Sequence, residues 1–135
     1  MNISDLTLVV AAGGRSTRMG RDKRFLPLAG ENLLARTLRR GRDAGFAAIV
    51  LAAEEARSDL TVLAEEFGAV LVTDETPAQG PAAALAAGLS AAKTEWSLVL
   101  SGDMPFYDFA LVRELLPEAA GETQVVLPTL LGYWQ

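Results

Sequence analysis

The stretch LTLVVAAGGRSTRMGRDK, residues 6–23, joins a short apolar run to a pair of glycines and a cluster of basic side chains. Leu6 to Ala12 read as a continuous apolar run rather than an alternating one, the pattern of a strand covered on both faces. Gly13 and Gly14 then allow a tight turn and bring backbone N–H groups close to an oxyanion. Five of the ten residues from Arg15 to Arg24 are basic, in a chain whose formal net charge is −5. Positive charge gathered so locally fits a small anion. It does not fit nucleic acid, whose phosphates need a broad basic face.

The same unit, an apolar run followed by a helix-length amphipathic segment, recurs along the chain. After the first run comes ENLLARTLRRGRDAG; FAAIVLAA is followed by SDLTVLAEEFG, AVLVT by GPAAALAAGLSAA, and WSLVLSG by DFALVRELLPEA. A last run, TQVVLP, precedes TLLGYWQ. Strand–helix alternation of this kind specifies a parallel sheet in a three-layer αβα sandwich, the fold class expected here. Ser58 is placed to cap the helix that begins near Asp59, Asp108 the helix carrying Leu111 and Val112, and Gly45 and Gly68 end their helices. AAALAAGLSAA reads as a small-residue helix able to pack close to the sheet. With 135 residues and no linker or low-complexity tract, residues 1–135 read as one domain.

Composition narrows the chemistry. There are no cysteines, which excludes disulfides and thiolate metal sites and fits a reducing compartment. There are no histidines either, so Asp, Glu, Lys and Arg must carry any acid–base or ligand role. The first apolar run is too short to span a membrane and has no basic residue before it, so the expected location is the cytoplasm.

Ligands of open parallel sheets sit beyond the carboxyl ends of the strands. Three features fall there: the glycine-rich loop after Ala12, Asp74 after AVLVT, and Asp103 after WSLVLSG. Arg15, Arg18 and Lys23 are able to add charge-assisted hydrogen bonds to phosphate oxygens, though a surface turn with solvated arginines explains the same spacing. The loop matches neither the Walker pattern nor the dinucleotide fingerprint. Asp103 reads either as a metal carboxylate or as a cap, with Asp108 the better cap. Asp74 reads equally as a strand-end turn former. Asp22 orients the loop by local hydrogen bonding. Arg36, Arg39, Arg40 and Arg42 read as the solvated face of a helix, and Trp96 and Trp134 as packing residues.

The run from Gly13 to Lys23 resembles the signature G-G-x-S-x-R-M-G-x-D-K of the MobA-like nucleoside-triphosphate transferases, and stands complete. LPLAG after it is also like that family. QGPAAALAAGL is similar to its G-P-L-A-G segment, with Ala83 and Ala84 in place of Ala-Gly, and SGDMPF is similar to its acid-Met/Thr-Pro motif. The resemblance implies a Rossmann-like fold of the nucleotide-diphospho-sugar transferase type. It implies transfer of GMP from GTP to molybdopterin with release of pyrophosphate and with Mg²⁺ as the metal. Ala11, Ala12, Gly13 and Gly14 then match the backbone segment at the nucleotide, and Lys23 the lysine on its phosphates. Arg18 matches the arginine of the triphosphate cradle, Asp74 an acid at the nucleotide site, and Asp103 the acid that holds Mg²⁺.

Two positions depart from the family. Glu54 stands near a usual asparagine after the second strand, and a carboxylate there accepts hydrogen bonds but donates none. Family members also continue beyond GYWQ, so the domain reads as short at its C-terminus, which fits a shortened gene product, a fragment, or an apolar edge buried by another subunit. Two alternatives stay open on the sequence: a related transferase using another nucleotide or acceptor, such as CTP with molybdopterin or a sugar phosphate, and an inactive nucleotide-binding module.

Overall fold

In chain order the first elements are β1 (Leu6–Ala11), β2 (Pro27–Leu28), β3 (Glu31–Asn32), α1 (Leu33–Ala44), β4 (Ala48–Ala53) and α2 (Ser58–Phe67). Then come β5 (Val70–Thr73), α3 (Pro81–Ser90), β6 (Trp96–Ser101), α4 (Ala110–Leu115), β7 (Thr129–Leu130) and β8 (Tyr133–Trp134). These come from a computed structural model that describes residues 1–12, 27–28, 30–74, 80–130 and 133–134. β1, β4, β5 and β6 form one parallel sheet in the order β5-β4-β1-β6. The chain thus builds outward on one side of β1, then crosses to its other side for β6.

Side chains leave a strand alternately to its two faces. Leu6, Leu8 and Val10 of β1, with Ile49, Leu51 and Ala53 of β4 and Leu100 of β6, enter the larger core, which is closed by α1, α2 and α4. Val9, Val50 and Ala52 enter a second, smaller cluster against α3, where Val72 and Leu85 also pack. Helices therefore lie on both faces, and the expected three-layer αβα architecture is observed. The small-residue helix does pack close: a Cβ on Gly88 would lie 2.8 Å from Ala52 Cβ and 3.0 Å from Val9 Cγ1. On the other face α1 approaches β1 at Gly41, whose missing Cβ leaves room for the Leu8 Cδ2 methyl.

The helix ends have local causes. Asn32 caps α1 by accepting the Ala35 N–H at 2.7 Å, a cap the sequence reading did not name. Gly45 and Gly68 close α1 and α2 in the left-handed region, as expected. Ser58 is not the cap of α2. Arg57 holds that position, Ser58 is the first helical residue, and Asp59 receives the Leu60 N–H at 2.8 Å. Asp108 does accept the Ala110 N–H, at 2.9 Å, at the start of α4. Trp96 packs against the larger core, whereas the side chain of Trp134 lies outside what is described.

The last apolar run departs from expectation. Residues 123–128 form no strand, and Val125 and Leu127 are 68% and 55% exposed. An apolar run becomes a strand only where it pairs with a ladder partner, and among the described residues this one pairs with none. β7 and β8 instead pair with each other, antiparallel.

The basic face of α1 is a second departure. Glu31, just before the Asn32 cap, accepts from Arg39 Nη2 at 2.8 Å and Nε at 3.2 Å, and from Arg36 Nη1 at 3.4 Å. Arg42 lies over the Phe67 ring, and Arg40 reaches the Pro105 carbonyl at 2.7 Å. These arginines tie α1 to its neighbours instead of facing water alone. The hydrogen bonds from Arg39 hold the Glu31 carboxyl below its ordinary value of 4.5, against an opposing effect of burial. A depressed carboxyl lends stability above its unfolded value and loses it as pH falls through the folded one. Glu31→Gln is therefore expected to melt below the parent at neutral pH, with the gap closing below about pH 4. Melting curves across that range test this, and a gap undiminished at about pH 3 would exclude ion pairing as its cause.

Candidate functional site

Because the four strands are parallel, their carboxyl ends share one rim. In register across it lie Thr73 opposite Ala53, Ala52 opposite Ala11, and Ala11 opposite Ser101. The strand order reverses between β1 and β6, which makes the crevice beside Ala11 and Ser101 the topological switch point, where such sheets take ligands. Backbone bonds tie the end of β1 to the strands on both its sides. The Gly102 N–H donates to the Ala11 carbonyl at 2.9 Å, and the Ala12 N–H donates to the Ala52 carbonyl at 2.7 Å. The Ala12 amide is therefore committed to the sheet. Gly102 sits tightly here, since a Cβ would meet Leu34 Cδ1 at 3.1 Å and Ala11 O at 3.4 Å.

Asp103 follows directly and is exposed at the rim. The Ser101 hydroxyl donates to its Oδ1 at 2.6 Å. Among the described residues its Oδ2 makes no hydrogen bond. Asp74 leaves β5 with its amide donating to the Ala53 carbonyl at 3.3 Å, and Glu54 follows β4 directly. Neighbouring strands lie about 4.8 Å apart, so β5 and β6, three spacings apart, separate Asp74 from Asp103 by roughly 14 Å of sheet. One ion cannot bind both carboxylates, but an extended ligand can reach both.

The structure thus brings Ala11, Ala12 and Asp103 to adjacent strand ends and sets Asp74 at the far side of the same rim. Gly13, Gly14, Asp22, Arg18 and Lys23 lie outside the described residues. Sequence reading missed the Ser101 hydroxyl, whose signal is a hydroxyl two residues before a strand-end acid.

The donor set can be compared with what a divalent cation requires. No group of three or more Asp or Glu side chains converges among the described residues. Mg²⁺ carried on phosphates uses only one or two protein carboxylates. An exposed carboxylate with one oxygen oriented by a hydroxyl and the other without a hydrogen bond among the described residues fits that requirement.

A parallel αβα sheet that reverses beside a glycine-rich basic loop and a strand-end acid is the layout of a nucleotide-handling domain of the Rossmann-like type. The chain belongs to the MobA-like NTP transferase domain family, whose model matches residues 8–135. It is 40% identical over 117 residues to a protein of Opitutus terrae named a probable molybdenum cofactor guanylyltransferase, covering 84% of this chain and 55% of that one. It is 32% identical over 131 residues to the molybdenum cofactor guanylyltransferase of Pseudomonas entomophila, covering 96% of this chain and 66% of that one. Among solved structures, the crystal structure of Rv0371c from Mycobacterium tuberculosis superposes with a TM-score of 0.71 at 30% identity, over 88% of this chain and 62% of that one. The chain spans between 53% and 66% of the length of such curated relatives. Among the described residues no helix is long and apolar enough to cross a membrane.

Proposed function

We propose that the chain acts as a nucleotidyltransferase that moves GMP from GTP to the phosphate of molybdopterin and releases pyrophosphate. The observation that carries this reading is the juxtaposition, on adjacent strands at the switch point, of the exit of the glycine-rich loop and the exposed carboxylate of Asp103. Family membership and the names of its relatives support the same chemistry.

In such a transfer an oxygen of the acceptor phosphate forms a bond to the α-phosphorus, and the bond from that phosphorus to the bridging oxygen breaks. The electron pair leaves with pyrophosphate. Charge crowding dominates the barrier, so positioning and cations do most of the catalysis. Arg18 and Lys23 would neutralise the triphosphate, and the Gly13 and Gly14 amides would donate to its oxygens. Asp103 would hold Mg²⁺, which would supply the remaining positive charge needed by the transferred phosphates. The acceptor is a phosphate monoester with a second pKa of about 6, largely ionised at neutral pH, so no general base is needed. A chain without histidine is sufficient.

Guanine is the base that carboxylates at the far side of the rim would suit. Glu54 and Asp74 offer carboxylates beyond β4 and β5, and guanine presents two adjacent donors, N1–H and the N2 amino group. Cytosine places an acceptor beside its only donor group and would meet these carboxylates with repulsion. A bidentate pairing of this kind discriminates by about 1–3 kcal/mol. GTP is therefore expected to outrun CTP by about fivefold to about 150-fold in pyrophosphate release with molybdopterin present. Equal rates would overturn the base assignment. Metal-dependent GTP binding without any turnover would select the inactive nucleotide-binding module instead.

A further inference from the structure

We infer that Arg40 is a positioning residue that holds the segment from Gly102 to Phe109 against α1, and so sets where Asp103 stands on the rim. The inference rests on the reading of Asp103 as the metal carboxylate.

Beyond the Gly102 N–H bond to the Ala11 carbonyl and the Ser101 hydroxyl bond to Asp103, the backbone hydrogen bonds within the connection that carries Asp103 are long. The Met104 N–H reaches the Ser101 carbonyl at 3.3 Å, and the Tyr107 N–H reaches the Met104 carbonyl at 3.4 Å. Such bonds are weak restraints by themselves. The firm restraint comes from α1. Arg40 Nη1 donates to the Pro105 carbonyl at 2.7 Å, a charge-assisted bond to a buried residue two positions after Asp103. Its guanidinium also lies 5.8 Å from the centre of the Phe109 ring, which is itself wedged edge-on between Phe46 and Tyr107.

One turn earlier on α1, Arg36 stands 5.5 Å from the centre of the Phe106 ring, and Thr37 Oγ1 lies 3.5 Å from the Gly102 carbonyl. Leu34 packs where a Gly102 Cβ would be. Residues 34, 36, 37 and 40 thus form one face of α1 applied to the acidic loop. Among these contacts, the Arg40 bond has the best geometry and is aimed at the backbone, so it fixes the loop whatever the side chains do.

Two substitutions separate position from packing. Arg40→Met keeps an unbranched apolar stem near Phe109 but removes the donor, and Arg40→Lys keeps a charged donor. In the GTP-bound chain, Mn²⁺ affinity measured by electron paramagnetic resonance is expected to fall about tenfold in Arg40→Met, the usual effect of losing a group that orients a metal ligand. Arg40→Lys is expected to restore it to within about threefold. Amide exchange at Met104 and Tyr107 is expected to quicken in Arg40→Met while that of Val9 and Leu51 stays as in the parent.

In an Asp103→Asn background, Arg40→Met is expected to cost no further Mn²⁺ affinity, because the two act through one path. An unchanged Mn²⁺ affinity in Arg40→Met overturns the inference. So does an equal loss in the Asp103→Asn background, or exchange that quickens equally in the loop and in the core. If the unsubstituted chain with GTP binds no Mn²⁺, the functional reading fails, and the exchange measurement still decides whether Arg40 holds the loop.

Discussion

Asp103→Asn is expected to lower kcat/KM for pyrophosphate release from GTP by about three orders of magnitude while the melting temperature stays within a degree or two of the parent. The size follows from the part assigned to this carboxylate. Removing the group that anchors charge neutralisation at a transferring phosphate withdraws several kcal/mol of transition-state stabilisation, and about 4 kcal/mol corresponds to a thousandfold. The small effect on stability follows from exposure, since the side chain bonds only to Ser101 among the described residues. Surface substitutions of this kind usually change stability by no more than about 0.5 kcal/mol. Asparagine retains the shape and accepts the Ser101 hydroxyl bond, so lost activity would reflect lost charge. Steady-state turnover and a thermal melt of the same preparation test both halves. Turnover within about tenfold of the parent would remove Asp103 from the metal site.

Leu8 offers a different test, at the centre of the sheet. Its side chain is fully buried, and its Cδ2 methyl fills the space left by the missing Cβ of Gly41. Leu8→Ala should cost about 2–5 kcal/mol, the transfer energy of the lost atoms plus the cavity left behind. Gly41→Ala alone should destabilise by about 1–3 kcal/mol through overpacking, offset in part by the helix propensity of alanine. With Leu8 already shortened the clash is gone, so the same Gly41→Ala change should become stabilising by up to about 1 kcal/mol. The sign change, read by chemical denaturation of the four proteins, is the signature of direct contact. Additive losses would show that α1 shifts to relieve the crowding.

The architecture was legible because the cause is local and repeated. The continuous runs at residues 6–12, 46–53, 69–73 and 96–102 are strands buried on two faces, and Gly45 and Gly68 punctuate them. TQVVLP looks like the other apolar runs but forms no strand, because apolar composition states only that a segment seeks cover, whereas a strand needs a ladder partner that lies elsewhere in the chain. Ser58 looked like a cap because its chemistry suits one, but the first turn begins a residue earlier and is closed through Asp59. The arginines of α1 were read as solvated because their partners, Glu31 and the Pro105 carbonyl, are not on the helix that displays them. In the site, Asp103 and the loop exit at Ala12 could be placed on one rim from strand ends alone. Strand order could not be read that way, and it is strand order that puts Asp103 beside the end of β1 and Asp74 three strands away.

That order has an evolutionary reading. The groups proposed to choose the base lie at the ends of β4 and β5, within one uninterrupted piece of chain, while the groups proposed to handle phosphates follow β1 and β6 in sequence, on either side of that piece. Residues 46–80 could thus be exchanged for those of a relative with another nucleotide preference, leaving the reactive end untouched. A domain arranged in this manner is a cassette: selectivity can drift by recombination within one interval, and the catalytic apparatus is inherited whole.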